Sequence, residues 1–136
     1  MGHGVPDKRI DTLDVAWTWK GRWKEEPYWD GSGISARKTT NEVGSEATLS
    51  FTGNAISLVG SYSQEGGRAD VYLDGEKTSK IDAYIVERTS DNDLWHAYGL
   101  KPGKHTLRIV PRGDADSRSR GHKLAIESAI SFAPRK

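Results

Sequence analysis

The residue types that carry most enzyme chemistry are present in this sequence, but not at catalytic spacings. The four histidines are His3, His96, His105 and His122, and none belongs to an H-E-x-x-H zinc motif. The sequence has no G-x-S-x-G nucleophile motif and no glycine-rich phosphate-binding motif before a helix. Its 19 acidic residues include no pair that the sequence marks as the two carboxylates of a glycosidase. We therefore expect a protein that binds rather than catalyses.

Aromatic side chains suit a second kind of chemistry, which is stacking on a flat ligand. Tyr28 and Trp29 lie among charged residues, glycine and proline, as does Trp23, so we expect them on a loop. Exposed aromatic side chains on a loop are suited to stacking against a ligand face. Trp95 follows Leu94, and neighbouring residues of a strand face opposite ways. Trp95 therefore either fills the core or joins the exposed aromatic residues, and the sequence leaves both open.

A basic loop over residues 112–123 could dock an anion. It holds four Lys or Arg residues against two Asp residues. Arg118 and Arg120 are favoured for this role because a planar guanidinium pairs bidentately with carboxylates and sulfates. A charged loop in contact with solvent is the plainer interpretation. Two aspartates and a serine in this loop resemble a calcium loop faintly, but the acidic residue of the twelfth position is missing.

These candidate residues must be positioned by strands. Trp17 and Trp19 share one face of an early strand, where they would cover the end of a sandwich. Asp74-Gly75 and Gly53-Asn54 each predict a tight hairpin turn. Short strands with turn signals roughly every 8–12 residues are typical of a sandwich or barrel. The segments that alternate apolar and polar residues are residues 47–53, 55–62, 69–75, 80–87, 105–111 and 123–133.

Length and composition set further bounds. The chain has 136 residues, 35% of them hydrophobic and 29% charged, with a formal net charge of +1 and no cysteine. The absence of cysteine excludes a disulfide framework. The small net charge creates no overall electrostatic field that would attract nucleic acid or a membrane surface. No apolar run approaches the roughly 18 residues of a transmembrane helix. Residues 1–12 are polar and rich in turn formers, so we expect a tag and linker there and one β-sandwich domain over residues 13–134.

The order of these segments resembles a known family. An early tryptophan strand is followed by "SEATLSFTGNAISLVGSYSQEGGRADVYLDGE", then "DLWHAYGLKPGKHTLRIVPRG", and finally "HKLAIESAISF". This resembles the galactose-binding-like jelly-roll domains attached to bacterial polysaccharide-degrading enzymes, over roughly residues 15–133. The motifs that carry the resemblance are Phe51 with Gly53, Val71 to Gly75, Gly99 to Ile109, and Glu127-Ser128.

The resemblance implies an all-β jelly-roll sandwich of about eight antiparallel strands. It implies a non-catalytic carbohydrate-binding module of a larger glycan-degrading protein that is secreted, periplasmic or on the cell surface. The implied partners are a polysaccharide or oligosaccharide and a parent catalytic domain (a glycoside hydrolase, lyase or esterase), not nucleic acid or a membrane. No cofactor is expected, although such modules often carry a structural calcium. His105 is expected to be a packing and hydrogen-bonding residue.

The candidate binding residues follow from the residue types and the resemblance together. We expect a sugar ring to stack on Tyr28, Trp29 or Trp95, while Arg118 and Arg120 bind its hydroxyls or an acidic substituent. Such a site could lie in the loops at one end or on the concave face of a sheet. A second hypothesis is a structural or interaction domain that packs its aromatic N-terminal face on a catalytic domain without binding glycan. A third is an enzyme in its own right.

Overall fold

The computed structural model describes residues 5–87, 89 and 92–134, and every regular element in that part of the chain is a β-strand. None of the described residues form a helix that could cross a membrane. The eleven strands are β1 Val5–Asp11, β2 Trp17–Lys20, β3 Lys24–Trp29, β4 Ile34–Thr40, β5 Glu46–Gly53, β6 Ala55–Gly60, β7 Arg68–Leu73, β8 Glu76–Asp82, β9 Asn92–Ala97, β10 Gly103–Pro111 and β11 Leu124–Ala133.

The strands form two antiparallel sheets that pack as a sandwich. Sheet A has the order β3-β4-β11-β6-β9, with β1 also paired to β11, and sheet B has the order β2-β5-β10-β7-β8. Consecutive strands often lie in opposite sheets, which is typical of a jelly roll. The predicted all-β jelly-roll sandwich is confirmed. The strand count exceeds the expected eight because short polar strands such as β3 and β4 lack a clear apolar alternation.

The core lies between the two sheets, where the alternating apolar residues of the longer strands meet. Leu49, Ile56, Leu58, Leu107 and Ile109 are fully buried there. These are the residues that the period-2 pattern assigns to one face of each strand. One side of the sandwich is closed by tryptophans: the rings of Trp17 and Trp19 stack 4.8 Å apart, and Trp23 meets Trp19 edge-on at 4.9 Å.

One of the two predicted hairpin turns is present and the other is wrong. Asp74 and Gly75 have φ angles of 52° and 87°, and they close a two-residue turn between β7 and β8. Gly53-Asn54 instead carries the chain from β5 in sheet B to β6 in sheet A. A side chain at Gly53 would lie 2.3 Å from the carbonyl oxygen of Phe132, so glycine permits the close crossing.

The N-terminal segment corrects the predicted domain boundary. Val5–Asp11 forms β1, which pairs along β11, and Ile10 is only 2% exposed in the core. Thr12 is also buried and donates a hydrogen bond to the carbonyl oxygen of Ala36 at 2.7 Å. Residues 5–12 therefore belong to the sandwich rather than to a linker. Residues 1–4 lie outside the described part of the chain.

Candidate functional site

The three predicted aromatic residues do not come together. Tyr28 and Trp29 end β3, at one edge of sheet A, whereas Trp95 lies on β9 at the opposite edge. Three strands lie between these edges, so at about 4.8 Å per strand they are about 19 Å apart. These aromatic residues cannot contact one sugar ring together.

Tyr28 is buried, which corrects its predicted place on an exposed loop. It is 7% exposed, the guanidinium of Arg37 lies 4.6 Å from its ring centre, and Arg9 donates a hydrogen bond to its hydroxyl at 3.2 Å. Strand alternation turns Trp29 to the other face, where it is 64% exposed. Only Trp29 of this pair has a ring that a ligand could reach.

Trp95 and Leu94 both pack against the core, although they are neighbours in sequence. Leu94 is buried and Trp95 is partly buried against the same cluster. A register shift between Leu58 and Val59 of β6 accommodates the extra residue on β9. A β-bulge of this kind lets two adjacent side chains face the same way. Trp95 thus fills the edge of the sandwich and is a poor stacking platform.

The basic loop is largely neutralised by ion pairs. The Arg118 side chain is the main cause that lowers the pKa of Asp116, to about 2. Among the described residues, the guanidinium of Arg120 has neither a hydrogen-bond nor an ion-pair partner. Arg120 is therefore the cation of this loop that is open to a ligand. The pairs formed by the others are Arg112–Asp114 at 3.0 Å, Arg118–Asp116 at 2.9 Å and Lys123–Glu26 at 3.3 Å.

The acidic residues of this loop do not fit a calcium site. Asp114 accepts from the guanidinium groups of Arg68 and Arg112, and Asp116 accepts from Arg118. Ca²⁺ needs about 6–8 oxygen ligands, and bound guanidinium groups would repel it. In the part of the chain that the structure describes, no cluster of three His, Asp or Glu side chains could hold a metal ion.

Backbone hydrogen bonds fasten the basic loop to the turn after β6. The amide of Arg120 donates to the carbonyl of Gln64, and the amide of Lys123 donates to the carbonyl of Glu65, both at 2.8 Å. The Ser119 hydroxyl donates to the carbonyl of Gly66 at 2.8 Å. The two segments are thus held in one arrangement before any ligand arrives.

These two segments surround a polar depression at one end of the sandwich, which we call the loop-end depression. Its wider part has a volume of about 310 Å³ and is lined by Ser63, Gln64, Glu65 and Arg120. A narrow pit of about 20 Å³ continues from it and shares two of these residues. The pit is completed by Glu26, Arg37, Ser61, Lys123 and Ala125.

A buried ion pair forms the floor of this pit. The guanidinium of Arg37 lies 2.8 Å from Glu127 Oε2, and both side chains are almost fully buried. The Ser61 hydroxyl donates to the same carboxylate oxygen at 3.0 Å. Because Arg37 is held by Glu127 from below and approached by Glu26 at 3.8 Å, its position is fixed. The floor is therefore rigid and charged.

Tyr84 neighbours Ser63, which lines the depression, and sequence reasoning did not single it out as a binding residue. It pairs with Ser63 through an isolated β-bridge, and the Arg118 guanidinium lies 5.1 Å from its ring centre. Gln64, on the same turn, donates to the carbonyl of Val86 at 2.6 Å. These contacts join segments far apart in sequence, so no local motif marks them.

A larger cleft of about 450 Å³ lies elsewhere, between β1 and the end of β5. At its wall His105 contacts Asp74 and Lys8 contacts Asp14, whereas the side chains of Asp7 and Lys104 have no hydrogen-bond or ion-pair partner among the described residues. Its floor is the buried ring of Phe51. The cleft is larger than the loop-end depression, but we favour the depression as the binding site because hydrogen bonds between separate loops hold its lining residues in one arrangement.

Known proteins share both sequence and fold with this chain. The family model described as carbohydrate esterase 2 N-terminal matches residues 33–127. An A type blood alpha-D-galactosamine galactosaminidase of Flavonifractor plautii is 35% identical over 106 residues, which cover 76% of this chain. The chain spans only 9% of that relative's length.

Solved structures show the same architecture. A family two carbohydrate esterase from Cellvibrio japonicus matches with a TM-score of 0.65 and 16% identity, over 93% of this chain and 33% of that one. A carbohydrate-binding module, CBM36, in complex with calcium and xylotriose matches with a TM-score of 0.53 and 11% identity, over 93% of this chain and 100% of that one. The predicted galactose-binding-like domain is confirmed, and the chain belongs to the family of carbohydrate esterase 2 N-terminal domains, which are accessory parts of those proteins.

Proposed function

We propose that this domain is a non-catalytic carbohydrate-binding module and that it binds sugar in the loop-end depression. One observation carries the proposal. Arg120 and Glu65 face the same preformed depression, and neither side chain has a hydrogen-bond or ion-pair partner among the described residues. An unpaired cation and an unpaired acid that line one depression suit a ligand whose groups both donate and accept, and sugar hydroxyls do both.

In this proposal each group has a role. Arg120 donates to ring or hydroxyl oxygens, and Glu65 accepts from hydroxyls. Tyr84, covered by Arg118, offers an aromatic wall beside them. Because the loop is already fastened to Gln64, little ordering is needed on binding. For a shallow polar site we expect a dissociation constant on the order of micromolar to millimolar.

The parent protein is part of the same proposal. Membership of the carbohydrate esterase 2 family supports a parent that carries a catalytic domain acting on glycans, with this module holding the substrate nearby. Polysaccharides of plants and algae lie outside cells, which supports a secreted, periplasmic or cell-surface location. The module itself then supplies affinity rather than chemistry.

Affinity electrophoresis through gels containing neutral and acidic plant and algal polysaccharides tests the proposal. We expect at least one polysaccharide to retard the domain, and Arg120→Ala or Glu65→Ala to abolish that retardation. Arg22→Ala is a matched control, because Arg22 is exposed and its side chain has no partner in the described chain. Normal migration through every gel would refute the module function, and retained retardation of both site variants would refute the site.

A separate surface favours the second hypothesis, a domain that docks on its parent. Trp29 and Ile34 are directly paired across β3 and β4, and they are 64% and 72% exposed. Leu13 is 66% exposed and lines a groove of about 410 Å³ with Ile34. An apolar patch of this kind suits an apolar protein surface better than a sugar. We expect Ile34→Glu to uncouple the unfolding of this domain from that of the parent in calorimetry; unchanged coupling would refute docking here.

A further inference from the structure

The cleft between β1 and the end of β5 lies at the opposite end of the sandwich from the loop-end depression. Strand β11 runs from one cavity to the other, because Lys123, just before it, lines the pit of the depression and Ser131, near its end, lines the cleft. These two residues are eight positions apart, so at about 3.3 Å per residue the cavities are about 26 Å apart. One small ligand cannot occupy both.

The cleft is present because two strands lack a neighbour at this end. Among the described residues, β1 pairs only with β11, and β2 pairs with β5 only over the first half of that strand. The last residues of β5 therefore have β10 as their one partner strand. The buried side chains of Phe51 and Ile10 close the floor, so a ligand would meet mainly the exposed groups of the walls.

A β-bulge brings two charged residues of β1 to one wall of the cleft. Pro6 pairs with Phe132 and Lys8 pairs with the next residue, Ser131, so Asp7 is an extra residue in the strand. A bulge lets neighbouring residues point the same way, and Asp7 and Lys8 both line the cleft. Both residues are exposed, and the Asp7 carboxylate has no partner in the described chain. An acceptor is therefore available to a ligand on this wall.

The second wall is a set of exposed polar side chains on β5 and β10. Lys104 pairs with Thr52, and Thr106 pairs with Ser50, so the four residues share one face of sheet B. All four are exposed and line the cleft. Side chains directly opposite each other start about 4.5–5.5 Å apart. Within the described residues, neither the ammonium group nor the three hydroxyls make a hydrogen bond, so they form a compact set of available donors and acceptors.

The chemistry of the two walls suits a saccharide. The carboxylate of Asp7 can accept from sugar hydroxyls, the ammonium of Lys104 can donate to sugar oxygens, and the wall hydroxyls can do both. These exposed side chains are not held by other groups, so they must be ordered when a ligand binds, and that ordering reduces affinity. The cleft should therefore be a weaker site than the loop-end depression, whose lining is already fastened.

We propose that the cleft is a second saccharide site and that the domain binds a polysaccharide at both ends of the sandwich. This inference rests on the proposed module function. A long chain, or two chains of one polysaccharide network, can reach both cavities, whereas a trisaccharide can occupy only one at a time. Binding at the depression raises the local sugar concentration at the cleft to about the millimolar range, which is enough to fill a weak site.

Backbone amide chemical shifts of the isotope-labelled domain test the two sites separately. The ligands are xylotriose, mannotriose, cellotriose and trigalacturonic acid, each raised to roughly tens of millimolar so that a weak site is occupied. We expect one of them to shift two groups of amides, one around the loop-end depression and one in the cleft walls. Lys104→Ala and Asp7→Asn should remove the second group only.

Lys101→Ala is the matched control for Lys104→Ala. Lys101 is an exposed lysine close in sequence, its side chain has no partner in the described chain, and it does not line the cleft. Both groups of shifts should remain in this variant. A melting temperature for each variant confirms that it is folded.

The polysaccharide gels test whether the two sites act together. Lys104→Ala should bind the retarding polysaccharide roughly three- to tenfold more weakly than the wild type, with an unchanged trisaccharide affinity at the depression. Arg120→Ala removes the stronger site, and the cleft alone is too weak to retard the domain. Equal retardation of Lys104→Ala and the wild type would overturn joint binding.

The outcomes of the titration distinguish the two proposals. Shifts confined to the depression, or cleft shifts that persist in both Lys104→Ala and Asp7→Asn, overturn the second site and leave the module function in place. Shifts confined to the cleft overturn the depression as the sugar site and also overturn binding at both ends. Unchanged shifts with all four trisaccharides overturn both proposals.

Discussion

His105 and Asp74 join two sequence motifs through one short contact, with Nδ1 of the imidazole 2.6 Å from Asp74 Oδ2. The other ring nitrogen lies 2.6 Å from the carbonyl oxygen of Lys101. Both partners are acceptors, so the ring can donate to both only as the imidazolium. Asp74 also accepts from the amide of Thr106 at 2.8 Å. His105 therefore clamps the β7–β8 turn to β10, which is a structural role.

The clamp should make stability depend on pH. Burial by itself lowers the pKa of His105, but the bonds to Asp74 and to the Lys101 carbonyl outweigh it and raise that pKa. The stabilisation is therefore complete below the unfolded pKa of about 6.5 and is lost as pH rises through the higher folded value. The His105 bond lowers the pKa of Asp74, whose contribution is present above about pH 3.9 and is lost as pH falls. We expect the clamp to contribute most between about pH 4 and 6.5.

Melting temperatures measured from pH 4 to 9 check this prediction. His105→Gln should lower the melting temperature near pH 5 and flatten its decline above about pH 6.5. Asp74→Asn should have a similar effect, because each variant removes the same contact. A wild-type decline that survives unchanged in both variants would assign the pH dependence to other groups.

The Asp74-Gly75 turn should be sensitive to a single methyl group. Gly75 has a φ of 87°, a region that side chains disfavour by about 1–2 kcal/mol. Gly75→Ala should therefore destabilise the domain by about that amount in urea denaturation. Gly33→Ala is the control, because Gly33 lies in open space without a positive φ and should change stability by less than about 0.5 kcal/mol. Equal losses for both variants would contradict the turn assignment.

The elements that were predictable are those whose information is local. The alternation in β5, β7, β10 and β11 reports which face is buried, and Asp-Gly needs only its own backbone to form a turn. β3 and β4 were not predicted because they are rich in polar and charged residues and lack a clear apolar alternation. Gly53-Asn54 was misread because a hairpin and a crossing between sheets share the same turn residues. The distinction lies in the distant contact with Phe132.

The candidate site was less predictable because it is assembled from distant segments. Residue type alone pointed to Arg120, and the structure leaves that guanidinium open. It could not show that Arg118 is paired with Asp116, since that depends on how the loop folds. Residue type also could not show that Glu65 and Tyr84 lie near this loop, because backbone hydrogen bonds and a β-bridge between separate loops bring them there.

The Arg37–Glu127 pair should carry a large part of the stability of sheet A. Their side chains are 7% and 0% exposed, so removing Glu127 leaves the buried Arg37 with only its longer contact to Glu26 at 3.8 Å. We expect Glu127→Ala to destabilise the domain by about 3–5 kcal/mol in urea denaturation. Glu25→Ala breaks the exposed pair with Lys38 and should change stability by less than about 1 kcal/mol. Similar losses for the two variants would contradict a buried pair.

Trp17 and Trp29 should differ in how much they contribute to the stability of the domain. Trp17 is 5% exposed, stacks on Trp19, and points its indole nitrogen at the carbonyl oxygen of Ile10, 3.5 Å away. Trp17→Ala should therefore destabilise the domain by about 3–5 kcal/mol, as expected for a large core residue. Trp29→Ala should cost less than about 0.5 kcal/mol, because its ring is largely in solvent.

Urea denaturation of both variants, combined with the polysaccharide gels, completes this test. Trp29 does not line the loop-end depression, so Trp29→Ala should also leave glycan retardation unchanged. Loss of retardation in a stable Trp29→Ala variant would move the sugar site to the edge of sheet A. It would then restore the stacking role that the residue type alone suggests, and the apolar patch around Ile34 would belong to the ligand rather than to a neighbouring domain.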